Sequence, residues 1–251
     1  TFARLNIIME ILITICARGG SKGIPGKNIK VINEKPLIYY TLKTANAFKE
    51  KYKGKVDIVL STDSEQIKEV VERQGLYIET DYTRPEVLAT DTAGKLGVII
   101  DVKNFMEQKH HKKYDYVLDM DVTAPLRNVD DLEKALALLE ENERAYNIFS
   151  VSPCHRNPYF NMVEENKEGF YELCKKGSFL TRQSAPKVFD MNASFYYYKR
   201  AFFDNHCEGV ITDKSLVYEV PHLCFDLDEP IDFEFMSFLL TQKRLDFDFN
   251  Y

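Results

Sequence analysis

The stretch that most constrains the fold is Ile11–Cys16, an apolar run that ends in the loop Ala17-Arg18-Gly19-Gly20-Ser21-Lys22-Gly23-Ile24-Pro25-Gly26-Lys27-Asn28-Ile29. A short run without in–out alternation, closed by glycines, has the profile of a parallel strand covered on both faces. A parallel strand needs a crossover partner, so the rest of the chain must supply alternating helices and strands. The pattern does so. It predicts a helix from Pro36 to about Phe48, a strand at Val56–Leu60, and a helix capped by Thr62-Asp63-Ser64 and stopped by Gly75. A short strand at Leu76–Glu79, a helix over Thr92–Gln108 and a strand at Tyr116–Met120 follow. A helix over Val129–Glu143, with a core stripe of Leu132, Ala135, Leu136 and Leu139, leads to a strand at Ile148–Ser152. The expectation is a doubly wound, mostly parallel α/β sheet with right-handed crossovers.

After Pro153 the rhythm changes. Pro158–Tyr218 is rich in aromatic and β-branched residues, with turn pairs Glu168-Gly169, Lys176-Gly177 and Glu208-Gly209, and reads as a β-rich insertion. Ile231–Leu245 then reads as a helix that rejoins the main domain. Before the first strand, Leu5–Ala17 has the outline of a signal peptide, but Asn6 and Glu10 interrupt it and a glycine-rich loop follows. Met9 is a candidate start, and residues 1–8 are set aside as upstream of it.

With 33 Lys and Arg against 39 Asp and Glu, the chain carries a formal charge of −6. That argues against general nucleic-acid binding, which needs a dominant positive field. It leaves room for an anionic small ligand held by one local cluster. No apolar run is long enough for a membrane span. The five cysteines are scattered, with no C-x-x-C pair, and read as free thiols of a reducing compartment, so a cytoplasmic location is expected.

The loop after the first strand is the leading candidate for chemistry. Its glycines let backbone N–H groups approach a polyphosphate, while Arg18 and Lys27 supply neutralising charge at the carboxyl edge of the sheet, where open α/β sheets bind ligands. It matches neither the dinucleotide fingerprint nor the P-loop. A solvated surface turn would need fewer glycines and cations. Asp226 and Asp228, two apart on an expected strand, share a face and suit Mg²⁺; the competing reading makes them helix-terminal charges before Pro230. Asp119 and Asp121 repeat that spacing.

The motif Ala-Arg-Gly-Gly-Ser-Lys-Gly-Ile-Pro-Gly-Lys-Asn resembles the N-terminal signature of the cytidylyltransferases that activate sialic acid and related nonulosonic acids. The resemblance continues in family order through Lys35-Pro36-Leu37-Ile38, Ser61-Thr62-Asp63, Arg84-Pro85, Leu88-Ala89-Thr90-Asp91-Thr92 and Thr123-Ala124-Pro125-Leu126-Arg127. It ends at Thr181-Arg182-Gln183 and Asp226-Leu227-Asp228-Glu229-Pro230. It implies a Rossmann-like nucleotidyltransferase domain over residues 9–156 and 221–251. Residues 157–220 would form a β-rich insertion serving dimerisation and sugar binding. The implied reaction joins CTP to a nine-carbon keto-sugar acid, releasing pyrophosphate, in a homodimer that uses Mg²⁺.

By the same resemblance the nucleotide is held by Ala17, Arg18, Gly19, Gly20, Ser21, Lys27, Asn28 and Arg84. Arg84 would meet cytosine or ribose, and Asn28 would help read the base. Arg18, Lys27 and Asp121 would serve the reaction itself. The sugar falls to Asp121, Arg182 and Gln183, with the Arg182 guanidinium suited to a carboxylate. Metal falls to Asp226 and Asp228. Sialic-acid members more often carry Gln where Asp121 stands, and Asp121 is left with three roles: metal ligand, sugar contact or base. Asp119 reads as structural. Lys95 stands where some members have a nucleotide-contacting Ser and is left off the site. The sugar is expected to be legionaminic acid or another sialic-acid-like acid. The alternatives are an octulosonate or other sugar nucleotidyltransferase, and a non-catalytic nucleotide-binding protein.

Overall fold

The computed structural model describes residues 9–20, 23–52, 55–90, 92–179 and 181–247, and the side chain of Arg182 is outside what it describes, as is Ser21 of the expected nucleotide loop. In chain order, β1 (Ile11–Cys16) leads to the short strands β2 (Val31–Ile32) and β3 (Lys35–Pro36), then helix α1 (Leu37–Lys51). Next come β4 (Val56–Ser61), α2 (Glu65–Glu72), α3 (Lys95–His110) and β5 (Tyr116–Met120). They are followed by α4 (Val129–Glu141), β6 (Asn147–Pro153), and the strands β7 (Val163–Glu165) and β8 (Tyr171–Leu173). The described elements end with β9 (Phe189–Lys199), α5 (Arg200–Asp204), β10 (Ser215–Glu219) and α6 (Pro230–Thr241).

Six strands form one sheet in the order β10-β6-β9-β5-β1-β4. β1 pairs parallel with β4 and β5, and β10 pairs parallel with β6. β9 alone runs antiparallel, between β5 and β6. The expected mostly parallel α/β sheet is present.

Alternation along the strands builds two cores. Ile11, Ile13 and Ile15 pack with Leu37 and Phe48 of α1, Ile67 of α2, Leu132 of α4 and Met236 of α6. Leu12 points to the other face, with Val98, Ile99 and Val102 of α3 and Phe202 of α5. The absence of in–out polarity in the sequence of β1 is the consequence of covering both faces. α4 starts on a capping box in which Asn128 and Asp131 satisfy each other's backbone N–H groups.

Two expectations need correction. The chain rejoins the central sheet at Phe189, not near residue 221, so β9 and β10 lie in the central sheet, and among the described residues of 157–220 the β7–β8 hairpin forms a separate two-stranded sheet. The reason lies in β9, where Tyr197 and Tyr198 are both fully buried, one in each core. Large aromatics on consecutive residues suit a strand covered on both faces, and the sequence reading took them for an insertion. Leu76–Glu79 is not a strand; Glu79 makes a single bridge to Val59. All five cysteines are free thiols, and among the described residues no helix is long and apolar enough to cross a membrane.

Candidate active site

The carboxyl ends of β1, β4 and β5 open into a cleft of about 630 Å³ lined by Arg18, Lys27, Asn28, Arg84, Lys95, Asp121, Thr123 and Asp228 among others. That volume lies in the range of small-molecule sites. Each wall is positioned by backbone geometry that its sequence requires. The Ala17 N–H donates to the Ser61 carbonyl at 2.9 Å, extending the β1–β4 ladder, and the Gly19 N–H donates to Asp63 Oδ1 at 2.8 Å. Gly26 has φ of 63°, a left-handed conformation that turns the loop into the short helix bearing Lys27 and Asn28. Gly23 lies so close to the metal-motif segment that a Cβ there would stand 2.9 Å from the Asp228 carbonyl oxygen. Loop and motif touch backbone to backbone.

The cations are held differently. Lys27 Nζ stands 3.1 Å from Asp228 Oδ1; the lysine side chain is 15% exposed and the aspartate 70%. The ammonium is thus fixed at the cleft wall by a carboxylate that itself faces solvent. The Arg84 guanidinium is buried and donates to Ser61 through Nε at 3.1 Å and Nη2 at 2.8 Å. Asn28 donates to the Arg18 carbonyl at 3.0 Å, bracing the loop.

Two carboxylates near Thr123 contrast sharply. Asp121 Oδ1 accepts from the Thr123 N–H and hydroxyl at 2.8 and 2.9 Å, and Oδ2 lies 2.6 Å from Lys95 Nζ. Burial pushes this carboxyl up, but Lys95 and the Thr123 donors outweigh it and hold the group at about 2. A base that weak takes a proton from a sugar hydroxyl poorly, so the base reading of Asp121 loses ground. Asp226 is the opposite case. Its Oδ1 is buried without a hydrogen-bond partner, and burial, reinforced by Asp121 and Asp228, raises its pKa against one bond from Thr123. The helix beyond it does not use Asp226 or Asp228 as caps, because Glu229 and Asp232 form the capping box of α6. They are thus not side-chain caps of this helix, though both precede its N-terminus. The segment is also not a strand, so the shared-face argument from strand geometry does not apply.

An orphaned buried carboxylate oxygen beside an exposed carboxylate fits a hard divalent cation, since Mg²⁺ is usually held by one or two carboxylates plus substrate phosphates. No group of three or more candidate metal ligands occurs among the described residues. Cys16 also lines the cleft, but burial, with Asp119 next, pushes its thiol up to about 12, which disfavours the thiolate near neutrality.

Of the sequence-derived residues, the cleft collects Arg18, Lys27, Asn28, Arg84, Asp121 and Asp228. Ala17 is fully buried behind the loop, Gly20 is exposed, and Asp226 lies next to Thr123 without lining the cleft. Gln183 is exposed on a short turn and does not line the cleft of the single chain. The residue missed is Lys95. Its signal was available: it opens α3, where a cation opposes the helix dipole and so needs another reason to be there.

Comparison with known proteins places these features in context. A family model described as cytidylyltransferase matches residues 12–243. The chain is 38% identical over 239 residues to the CMP-N,N′-diacetyllegionaminic acid synthase of Campylobacter jejuni, covering 94% of this chain and 97% of that protein. It is 30% identical over 240 residues to the pseudaminic acid cytidylyltransferase of the same species, covering 92% and 96%. Among solved structures, a CMP:2-keto-3-deoxy-manno-octonic acid synthetase complexed with CTP superposes with a TM-score of 0.65 at 17% identity, covering 93% of this chain and 99% of that one.

Proposed function

The chain belongs to the cytidylyltransferase family, and on that premise we propose that it transfers CMP from CTP to the anomeric hydroxyl of a nonulosonic acid. The sugar oxygen attacks the α-phosphorus in line, a new P–O bond forms, and the bond to the β-phosphate breaks. Its electron pair leaves on pyrophosphate, and the hydroxyl proton passes to solvent. One observation carries the reading: a single cleft gathers Arg18, Lys27 and Arg84 with Asp121 and Asp228 at the carboxyl ends of parallel strands.

In this reading Lys27 and Arg18 stabilise charge developing on the departing pyrophosphate, a preorganised electrostatic effect. Asn28 and Arg84 face the nucleoside. Asp226 and Asp228 would hold Mg²⁺, which supplies charge neutralisation to the phosphates when bound. The family motif assigns the sugar carboxylate to Arg182. Gln183 lies outside the cleft, which is consistent with a sugar site completed by a second copy. A homodimer is further supported by the apolar surface around the hairpin, where Val163, Phe170 and Tyr171 are 61–69% exposed. Five free cysteines suit the reducing cytoplasm.

Legionaminic acid is the proposed sugar. The 38% identity to the Campylobacter jejuni legionaminic enzyme, against 30% to the pseudaminic enzyme of that species, supports it, although the Legionella pneumophila legionaminic enzyme is 28% identical. So does Asp121, since a carboxylate already committed to Lys95 and Thr123 presents none of the amide donors that Gln would. The test is kcat/KM for pyrophosphate release from CTP with legionaminic, pseudaminic and N-acetylneuraminic acids at saturating Mg²⁺. The expected order is the order named. A clear preference for N-acetylneuraminic acid overturns the sugar assignment, and no release with any of the three overturns the function.

A further inference from the structure

Lys95 lines the cleft, with its Nζ 2.7 Å from Asp119 Oδ2 and 2.6 Å from Asp121 Oδ2. Asp119 is fully buried, and its other oxygen accepts from the Thr14 hydroxyl at 2.8 Å. Two carboxylates brought this close, one fully buried and the other 20% exposed, repel each other and are held ionised together by a cation between them. In a phosphate-binding cleft the usual cation would be a divalent metal. Here it is an ammonium.

Its placement is not explained by the helix it begins. The first position of α3 is the wrong end for a positive charge, and the N-cap Gly94 offers no side-chain bond. The aspartates account for it, and the Tyr196 ring, 5.7 Å from Nζ, closes the cradle on one side. Asp119 Oδ2 has no hydrogen bond and only the Lys95 ammonium beside it, while the other three oxygens of the pair accept hydrogen bonds; Asp226 Oδ1, nearby, has neither. We infer that Lys95 is a built-in cation of the reaction centre, occupying the place between Asp119 and Asp121 that a divalent ion would otherwise take. Asp121 is therefore a fixed wall of the site, and metal binding is left to Asp226 and Asp228. That last assignment rests on the proposed function; the exchange of lysine for metal does not.

The exchange can be read without turnover. The full chain, stripped with EDTA, is titrated with MnCl₂ while free Mn²⁺ is followed by electron paramagnetic resonance, and its melting is recorded with and without MgCl₂. Lys95→Met should bind one more Mn²⁺ per chain than the wild type. Its Tm should fall by roughly 10 °C in EDTA, as expected for an uncompensated buried carboxylate pair, and at least half of that fall should be regained in millimolar MgCl₂. The double variant Lys95→Met/Asp119→Asn, which lacks the pair, should gain neither the extra Mn²⁺ nor the MgCl₂ response.

The inference is overturned if Lys95→Met binds no additional Mn²⁺, or if its Tm ignores MgCl₂. It is equally overturned if Lys95→Met stays unfolded at every metal concentration while the double variant folds. Failure of the wild type to release pyrophosphate would strike the proposed function and leave these readouts as they are.

Discussion

At the amino ends of β1, β4 and β5, Lys112 bridges Glu10 and Asp57 at 2.7 Å each, and the Tyr114 hydroxyl donates to Asp57 at 2.6 Å. Asp115 accepts from the Glu10 N–H and pairs with Arg200. Charges there are consumed by one another. At the carboxyl ends of the same strands, Lys27 leans on a carboxylate that is 70% exposed, and Asp226 keeps a buried oxygen with no partner. The two ends draw on the same residue types. Lys95 meets the demand of Asp119 and Asp121 at this end too, so what separates the two ends is the part left open at Asp226 and Asp228, and that part marks the site.

The comparison breaks first at Asp226. Asp226→Asn should lower pyrophosphate release at least 100-fold, because it removes a hard anionic ligand, and yet raise Tm by roughly 1–3 °C. Burial holds the folded pKa of this carboxyl above its unfolded value, so its ionisation opposes folding as pH rises past the ordinary carboxylate range. The Tm advantage of the variant should accordingly grow above about pH 4. A lower Tm with intact turnover would make Asp226 structural.

Lys27→Ala should cost about 100-fold in kcat, the scale of one lost transition-state donor, with an unchanged circular dichroism spectrum. Near-normal kcat would remove the loop from the reaction. Gly23→Ala should be milder. Its new Cβ cannot share space with the Asp228 carbonyl, so loop and motif must separate, and a roughly tenfold loss in kcat/KM for CTP is expected by analogy with small displacements of positioned groups. Equal kinetics would show that the contact does not set the cleft.

At the other end, Asp57→Asn should leave kcat/KM unchanged and lower Tm by roughly 3–6 °C. Burial raises the Asp57 carboxyl, but Lys112 and Tyr114 lower it more, so its folded pKa lies below the ordinary value. The stability it adds is complete above that ordinary value and disappears as pH falls through the folded one. The Tm gap between wild type and variant should close on acidification below about pH 4. A gap that persists at low pH would assign the effect to packing.

Most of the sheet was legible because each of its elements is announced locally. The Tyr116–Met120 strand and the α4 stripe emerge at the expected residues, since burial on two faces or one writes its own periodicity into the chain. β9 was misread because a strand buried on both faces and an aromatic insertion look alike until their neighbours are known. The loop of Arg18, Lys27 and Asn28 was legible as a dense local cluster, and the structure sets it on the cleft. Lys95 was missed because its partners lie 24 and 26 residues away on a different element.

By itself the sequence determined which residue types crowd the end of the first strand, and that the strands alternate with helices to form an α/β sheet. Those are properties of neighbours in the chain, read from period and composition. Only the tertiary structure decided that Asp121 is clamped by an ammonium while Asp226, equally acidic in sequence, keeps an unpartnered oxygen. The state of a carboxylate depends on desolvation and on cations brought from distant segments, and neither quantity exists until the chain has folded.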